Sequence, residues 1–254
     1  AWAHRHTINA IRFIIQGGPK VFTVVGGEPL VMEPNDLLLT PGWSWHDHHN
    51  DSDKPAIWLD ALDVPFTLAL NQNFYEEYGE SAQERTGEHP PATPMARLSG
   101  GATRQAVRPM RYAWKDTLQS LKAAATRKDP DVSPADGIML EYVNPLTGGA
   151  ALPTLSCRVQ WLPPGFVGEK VRRTSSAIHH VIQGEGRTVY EDSELAWQGR
   201  DTFCAPNWGW HQHINASKSE PAILFTITDV PILDAFGYFR EEIRGTNSDT
   251  SGQR

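Results

Sequence analysis

The sequence predicts an all-β protein built from two tandem β modules with a partly helical segment between them. Three observations carry this reading. Gly and Pro, 21 and 19 in number, punctuate the chain at short intervals, and the runs between them are rich in β-branched and aromatic residues. That pattern marks a sandwich or barrel of short strands. An internal repeat divides the chain in two. The segment between the copies changes composition toward Leu, Ala, Glu, Gln and Lys, which favour helix.

In the first copy the strand-forming runs are residues 10–16, 21–25, 36–40 and 56–59. In the second they are 155–161, 177–183, 187–191 and 222–229. Between them, 66–85 and 115–127 are predicted helices, and 87–101, rich in Pro, Gly and Thr, is a predicted loop. The polar tail from 245 is expected to fray. The repeat is specific. Ile14-Ile15-Gln16-Gly17 returns as Val181-Ile182-Gln183-Gly184, and Asp63-Val64-Pro65 as Asp229-Val230-Pro231. Between these, Pro41-Gly42-Trp43-Ser44-Trp45-His46-Asp47-His48-His49-Asn50 returns as Pro206-Asn207-Trp208-Gly209-Trp210-His211-Gln212-His213-Ile214-Asn215. Three matches in one order at a nearly constant offset define a module at 1–65, a connecting segment at 66–150, a second module at 151–244 and a tail at 245–254.

Composition excludes several classes of function. The 254 residues carry 23 Lys plus Arg against 30 Asp plus Glu, a formal charge of −7, with no run of like charge. Nucleic acid and anionic membrane are poor partners for such a chain. No apolar run approaches a membrane span. Two cysteines without CxxC spacing exclude a disulfide framework and a zinc ribbon. The chain begins Ala-Trp-Ala-His, so any targeting segment would lie upstream.

The chemistry concentrates in the first copy. His4 and His6 stand at i and i+2, so on a strand they share one face. With His46 from a later strand they would make an all-nitrogen site for a divalent transition metal with positions left open. These residues resemble the cupin family, whose motifs are an HxH pair followed by Glu and, later, a Pro- and Gly-led His. Here the position of the Glu is Ala10, which cannot bind metal. That departure is similar to the gentisate 1,2-dioxygenase group, which includes salicylate and 1-hydroxy-2-naphthoate 1,2-dioxygenases. His4-Arg5-His6-Thr7, Ala10-Ile11-Arg12-Phe13, Trp45-His46-Asp47-His48 and Tyr142-Val143-Asn144-Pro145-Leu146-Thr147-Gly148-Gly149 carry the resemblance. It implies a double-stranded β-helix (jelly-roll) bicupin, one Fe(II) per chain on His4, His6 and His46, and a cytoplasmic homotetramer. It also implies a segment before the HxH pair, so the first module is expected to be incomplete at its N-terminus.

The resemblance further implies cleavage of a 2-hydroxybenzoate by O2, with gentisate giving maleylpyruvate. Such a substrate needs a cation for its carboxylate. Arg12, two residues beyond Ala10, shares its strand face and offers a planar fork. His48, two residues beyond His46, is placed to bond the substrate carboxylate or hydroxyl. In the family an Asp on a later strand also contacts substrate, which corresponds to Asp60 here. The second copy has Thr226 at that place, so the fold does not demand the acid.

In the second copy the places of His4 and His6 fall on Val171 and Arg173, so that module is expected to be metal-free. His179, His180, His211 and His213 are then structural. Trp43 and Trp45, repeated as Trp208 and Trp210, are expected to pack the barrel, Asp47 to face outward, and Asp63 and Asp229 to serve turns. Two other readings compete. A non-catalytic bicupin for a small acid would not need the triad with Arg12 and Asp60. A cupin isomerase or decarboxylase would usually keep the Glu that is Ala10. Phe74, Tyr75, Tyr78, Tyr112 and Trp114 make 66–127 a candidate subunit interface.

Overall fold

The computed structural model describes residues 2–85, 110–128, 130–145 and 147–244. The predicted loop at 87–101 and the tail from 245 lie outside the described residues. The chain is a β protein with few helices, and its contacts divide into two units. Residues 1–117 with 144–152 form one, and 118–143 with 153–254 form the other.

The first unit contains β1 (His4–His6), β2 (Ala10–Gln16), β3 (Gly18–Val25), β4 (Glu28–Met32), β5 (Leu37–Thr40), β6 (His46–Asn50) and β7 (Ile57–Leu62), then α1 (Val64–Ala69), β8 (Tyr75–Glu77) and β9 (Met110–Tyr112). One antiparallel sheet runs β4-β3-β6-β1-β8 and the other β7-β2-β5-β9. Alternate residues of these strands turn inward. Ile14, Val21, Val25, Leu30, Met32 and Leu38 meet there as a buried cluster, with Trp58 packed against it.

After α2 (Trp114–Ala125), within which the division of the units falls, come β10 (Ile138–Glu141), β11 (Ser156–Leu162), β12 (Lys170–Arg173), β13 (Ala177–Gln183) and β14 (Glu185–Tyr190). The chain continues with β15 (Ser193–Gln198), β16 (Thr202–Ala205), β17 (His211–Asn215), β18 (Ala222–Thr228), α3 (Val230–Ala235) and β19 (Glu241–Arg244). Its sheets run β15-β14-β17-β12-β19 and β10-β11-β18-β13-β16. The first of these copies β4-β3-β6-β1-β8 strand for strand. Even the register shift of β2 between Ile14 and Gln16 returns in β13 between Val181 and Gln183.

The second sheets differ. In the second unit β18 is covered by β11 and β10, and every one of its residues is buried. In the first, among the described residues, β7 is an edge strand, and Ile57 and Leu62 are exposed.

Two expectations need correction. The helix predicted at 66–85 is only the short α1, started by Pro65 in its first turn. Asn71, at φ 53°, ends it, and the chain then pairs as β8 with the free side of β1. Sheet pairing outweighs the modest helix propensity of Leu, Gln and Glu. The tryptophan pairs are not barrel packing. Arg5 lies 4.4 Å from the ring centroids of both Trp43 and Trp45, and Trp43 is exposed. Arg172 repeats this at 4.3 and 4.7 Å from Trp208 and Trp210. Each pair clasps a guanidinium from the neighbouring strand. Residues 66–150, expected to connect the modules, supply β8 and β9 to one unit and β10 to the other.

Candidate metal centre

The triad is assembled by one strand pair. β1 and β6 run antiparallel with His4 opposite His46, and His6 follows on the same face of β1. The ring centroids of His46 lie 4.3 Å from His4 and 4.7 Å from His6. One nitrogen from each ring can be chosen so that all lie within 4.8 Å of one another.

The turn before β6 delivers His46. Gly42 passes so close to β1 that a side-chain carbon would stand 2.3 Å from the Thr7 carbonyl oxygen. Asn9 holds the turn by accepting from the Gly42 amide at 2.9 Å, while Asp63 accepts from the Asn9 amide at 2.8 Å. Trp43 takes φ 64° and donates its amide to the His6 carbonyl at 2.6 Å.

The backbone also sets the tautomers. Nδ1 of His4 donates to the Trp2 carbonyl at 2.6 Å, that of His6 to Ile8 at 2.9 Å, and that of His46 to Ser44 at 2.9 Å. A carbonyl only accepts, so the proton of each neutral ring is on Nδ1 and the lone pair is on Nε2. Burial lowers the pKa of His6, and lowers that of His46 to about 4 despite its carbonyl partner. Three neutral nitrogen donors with no carboxylate among them fit a divalent transition metal.

Arg12, Asp60 and His48 are brought together beside the triad. Arg12 is buried on β2 directly opposite Asp60 on β7. Its Nε and Nη2 each donate to an Asp60 oxygen at 2.7 Å. The bidentate edge therefore already has a carboxylate, and Nη1 is the nitrogen left. Nη1 lies against the His48 ring, 2.8 Å from Nδ1 and 3.1 Å from Nε2. His48 is 5.8 Å from His46 between ring centroids. Its pKa falls to about 2, by burial first and then by Arg12, so the ring is neutral.

Sequence reasoning missed Thr23. It stands opposite His48 on β3 and gives its proton to the Asp47 carbonyl at 3.0 Å. Its hydroxyl oxygen also lies 2.9 Å from His48 Nδ1. The repeat held the signal, because Thr188 faces His213 in the same way. Asp47 is buried on the other side of β6 and accepts from the amide and side chain of Gln83 at 3.0 and 2.9 Å. It anchors the segment after β8 and touches no histidine of the triad.

The residues 1–62 match the model of the cupin domain. Gentisate 1,2 dioxygenase 1 of Aquipseudomonas alcaligenes is 36% identical over 94% of this chain and 68% of its own length. The chain belongs to the gentisate 1,2-dioxygenase family. The 1-hydroxy-2-naphthoate 1,2-dioxygenase of a Nocardioides strain is 42% identical over 95% of the chain. The chain spans 62% of that relative's length, and 64% of the length of a Comamonas 5-aminosalicylate 1,2-dioxygenase. Among solved structures, a variant of the salicylate 1,2-dioxygenase of Pseudoaminobacter salicylatoxidans superposes with a TM-score of 0.81 at 33% identity. It covers 97% of this chain and 72% of that one.

In this gentisate 1,2-dioxygenase relative the second unit has no triad. Val171 stands opposite His211 as His4 stands opposite His46. Arg173, at the place of His6, is turned to Asp136 at 2.6 and 3.2 Å and to Glu241 at 2.6 Å. Among the described residues, His4, His6 and His46 form the one metal-competent cluster.

Proposed function

We propose that this chain carries the metal centre of a ring-cleaving dioxygenase for 2-hydroxybenzoates, with gentisate the first candidate substrate and maleylpyruvate its product. Salicylate and 1-hydroxy-2-naphthoate are the alternatives within the same chemistry. The observation that carries the reading is the juxtaposition of a triad of neutral histidines with the Arg12–Asp60–His48 group. His4, His6 and His46 would hold Fe(II), one per chain. Bound iron supplies open coordination positions and the redox chemistry that O2 requires. Both atoms of O2 enter the product as the bond between the carboxyl-bearing and hydroxyl-bearing ring carbons breaks.

The chain's own residues bind and orient the substrate. Asp60 fixes the plane of Arg12 through two charge-assisted bonds. Nη1 turns from His48 to the substrate carboxylate. The neutral His48 ring, released by that turn, accepts the hydrogen bond of the substrate hydroxyl through its unprotonated nitrogen. Thr23 holds the ring in place by its 2.9 Å contact with Nδ1. A triad of neutral ligands leaves the site more positive than one with a carboxylate, which suits an anionic substrate. The exposed Phe74, Tyr75 and Tyr78 support a homotetramer, and we place the enzyme in the cytoplasm.

Oxygen consumption tests the reading. The iron-loaded protein should consume O2 with gentisate and release a ring-opened product, and the metal-free protein should not. Tight gentisate binding without oxygen uptake, with iron retained, would favour a non-catalytic acid-binding bicupin.

A further inference from the structure

The interior of the second unit holds polar side chains that neither its fold nor a metal uses. Arg158 on β11, Thr226 on β18 and His179 on β13 stand in register across three adjacent strands. This row occupies the place of Asp60 and Arg12 in the first unit. There a carboxylate on the next strand neutralises the guanidinium. Here the guanidinium is Arg158 and its neighbour is a threonine.

One nitrogen of Arg158 lacks a partner. Its Nε is buried without a hydrogen bond, and among the described residues no carboxylate is in ion-pair contact with it. Asp136, the strongest favourable charge acting on it, is already committed to Arg173 and to Gln160 at 3.1 Å. Burial lowers the Arg158 pKa. The residue keeps some exposed surface, so solvent reaches it.

His179 is 1% exposed, and its tautomer follows from a chain of hydrogen bonds. Gln160 donates its amide to Asp136, so its oxygen faces Thr226. Thr226 donates to that oxygen at 2.8 Å, and so accepts from Nδ1 of His179 at 2.9 Å. The lone pair of the neutral ring is then on Nε2. That atom is buried with no partner. His213 stands beside it with ring centroids 4.8 Å apart, and His211 lies 5.6 Å from His213. A buried guanidinium nitrogen and a buried ring acceptor left unsatisfied within one barrel are two independent signs of a ligand.

We propose that the second barrel binds a small hydroxylated oxyanion, a 2-hydroxycarboxylate or hydrogencarbonate, with its charged oxygen on Arg158 and its O–H donated to His179 Nε2. The two residues are separated by two strand spacings, roughly 10 Å between backbones. A metal is disfavoured there, because Val171 and Arg173 stand where the first unit has His4 and His6.

Calorimetry on the metal-loaded full chain tests this, with glycolate, hydrogencarbonate, acetate and chloride as probes. Glycolate should show a binding event that survives His4→Ala, which removes the first-unit metal, and disappears in Arg158→Met. Acetate has the charge without the hydroxyl and should bind that site about tenfold more weakly. Glycolate against hydrogencarbonate separates the organic from the inorganic source. His179→Phe serves as the second variant should Arg158→Met not fold, and should bring glycolate down to the affinity of acetate. Loss of all glycolate binding in His4→Ala, or a residual site unchanged in Arg158→Met and His179→Phe, would overturn the proposal. So would equal affinities for glycolate and acetate.

Discussion

The two units carry one strand order and one turn, yet only the first makes a nitrogen triad. His46 and His211 stand at equivalent places, and Nδ1 of His211 still donates to a backbone carbonyl, that of Gly209 at 3.1 Å. The second unit keeps this third-ligand geometry without a ligand set. The turn therefore orients the ring by itself, and the metal is not needed to shape it. What the second unit lost is confined to β12, where Val171 and Arg173 stand for His4 and His6. Arg173 did more than delete a ligand. Its ion pairs with Asp136 and Glu241 fill the place with salt bridges.

The largest effect expected from breaking this comparison is on metal retention. His4→Ala, His6→Ala or His46→Ala should each abolish the bound metal after dialysis, read by elemental analysis. His211→Ala should leave it unchanged. Equal losses from His46→Ala and His211→Ala would sink the assignment to one unit.

Acid should come next. His179, His180, His211 and His213 all have pKa values lowered by burial, His213 to about 3. The unfolded chain binds those protons near pH 6.5 and the folded chain does not. Stability is therefore intact above pH 6.5 and falls as the pH drops below it, by up to about 1.4 kcal/mol per pH unit for each ring that the fold keeps unprotonated, which His213 remains down to about pH 3. Metal should protect the first unit in this window, because it competes with protons for the ring nitrogens of His6 and His46. It should not protect the second. Thermal melts across pH, with and without metal, would separate the two. A single transition shifted as a whole by metal would contradict this expectation.

A smaller effect is expected at Arg12. Arg12→Lys keeps the charge and loses the planar fork held by Asp60, a change of roughly 1–3 kcal/mol for charge-assisted bonds. On the proposed function this corresponds to about a five- to 150-fold loss in kcat/KM. His179→Lys, at the equivalent place, should leave kinetics untouched while lowering the stability of its own unit. Steady-state kinetics beside a thermal melt would show both.

The smallest effect concerns the clasped arginines. Arg5→Ala and Arg172→Ala each remove a cation–π clasp, worth about 0.5–1 kcal/mol at exposed sites. The two should lower Tm similarly, and only Arg5→Ala, between the triad histidines, should also weaken metal retention.

Much of this arrangement was legible in the sequence because a repeat supplies its own reference. His4, His6 and His46 stood out against Val171, Arg173 and His211, and Asp60 against Thr226. The two strand modules followed from β-branched and aromatic runs between Gly and Pro. Other features depend on contacts distant in sequence. Residues 75–77 became a strand because β1 had a free edge. Trp43 and Trp45 read as apolar and packed, but the Arg5 guanidinium from the neighbouring strand claims both rings. The use of the Arg12 fork by Asp60 was visible as residue types only, since a strand register decides which carboxylate stands opposite. Thr23 was hidden by its ordinary β-forming character.

The one-sided pairing of β7 among the described residues has a dynamic consequence. Asp60 is carried by a strand whose backbone is hydrogen-bonded there on one side, with Ile57 and Leu62 exposed beside it. Such a strand is a natural template for a further strand. Local opening costs least where a strand is paired on one side. In the chain of residues 1–254, amides of β7 should exchange with solvent deuterium well before those of β18, and a further strand laid along β7 should slow them. Each opening would withdraw Asp60 from Arg12 and leave a buried guanidinium uncompensated, so the charge balance of the site is only as durable as the pairing of β7.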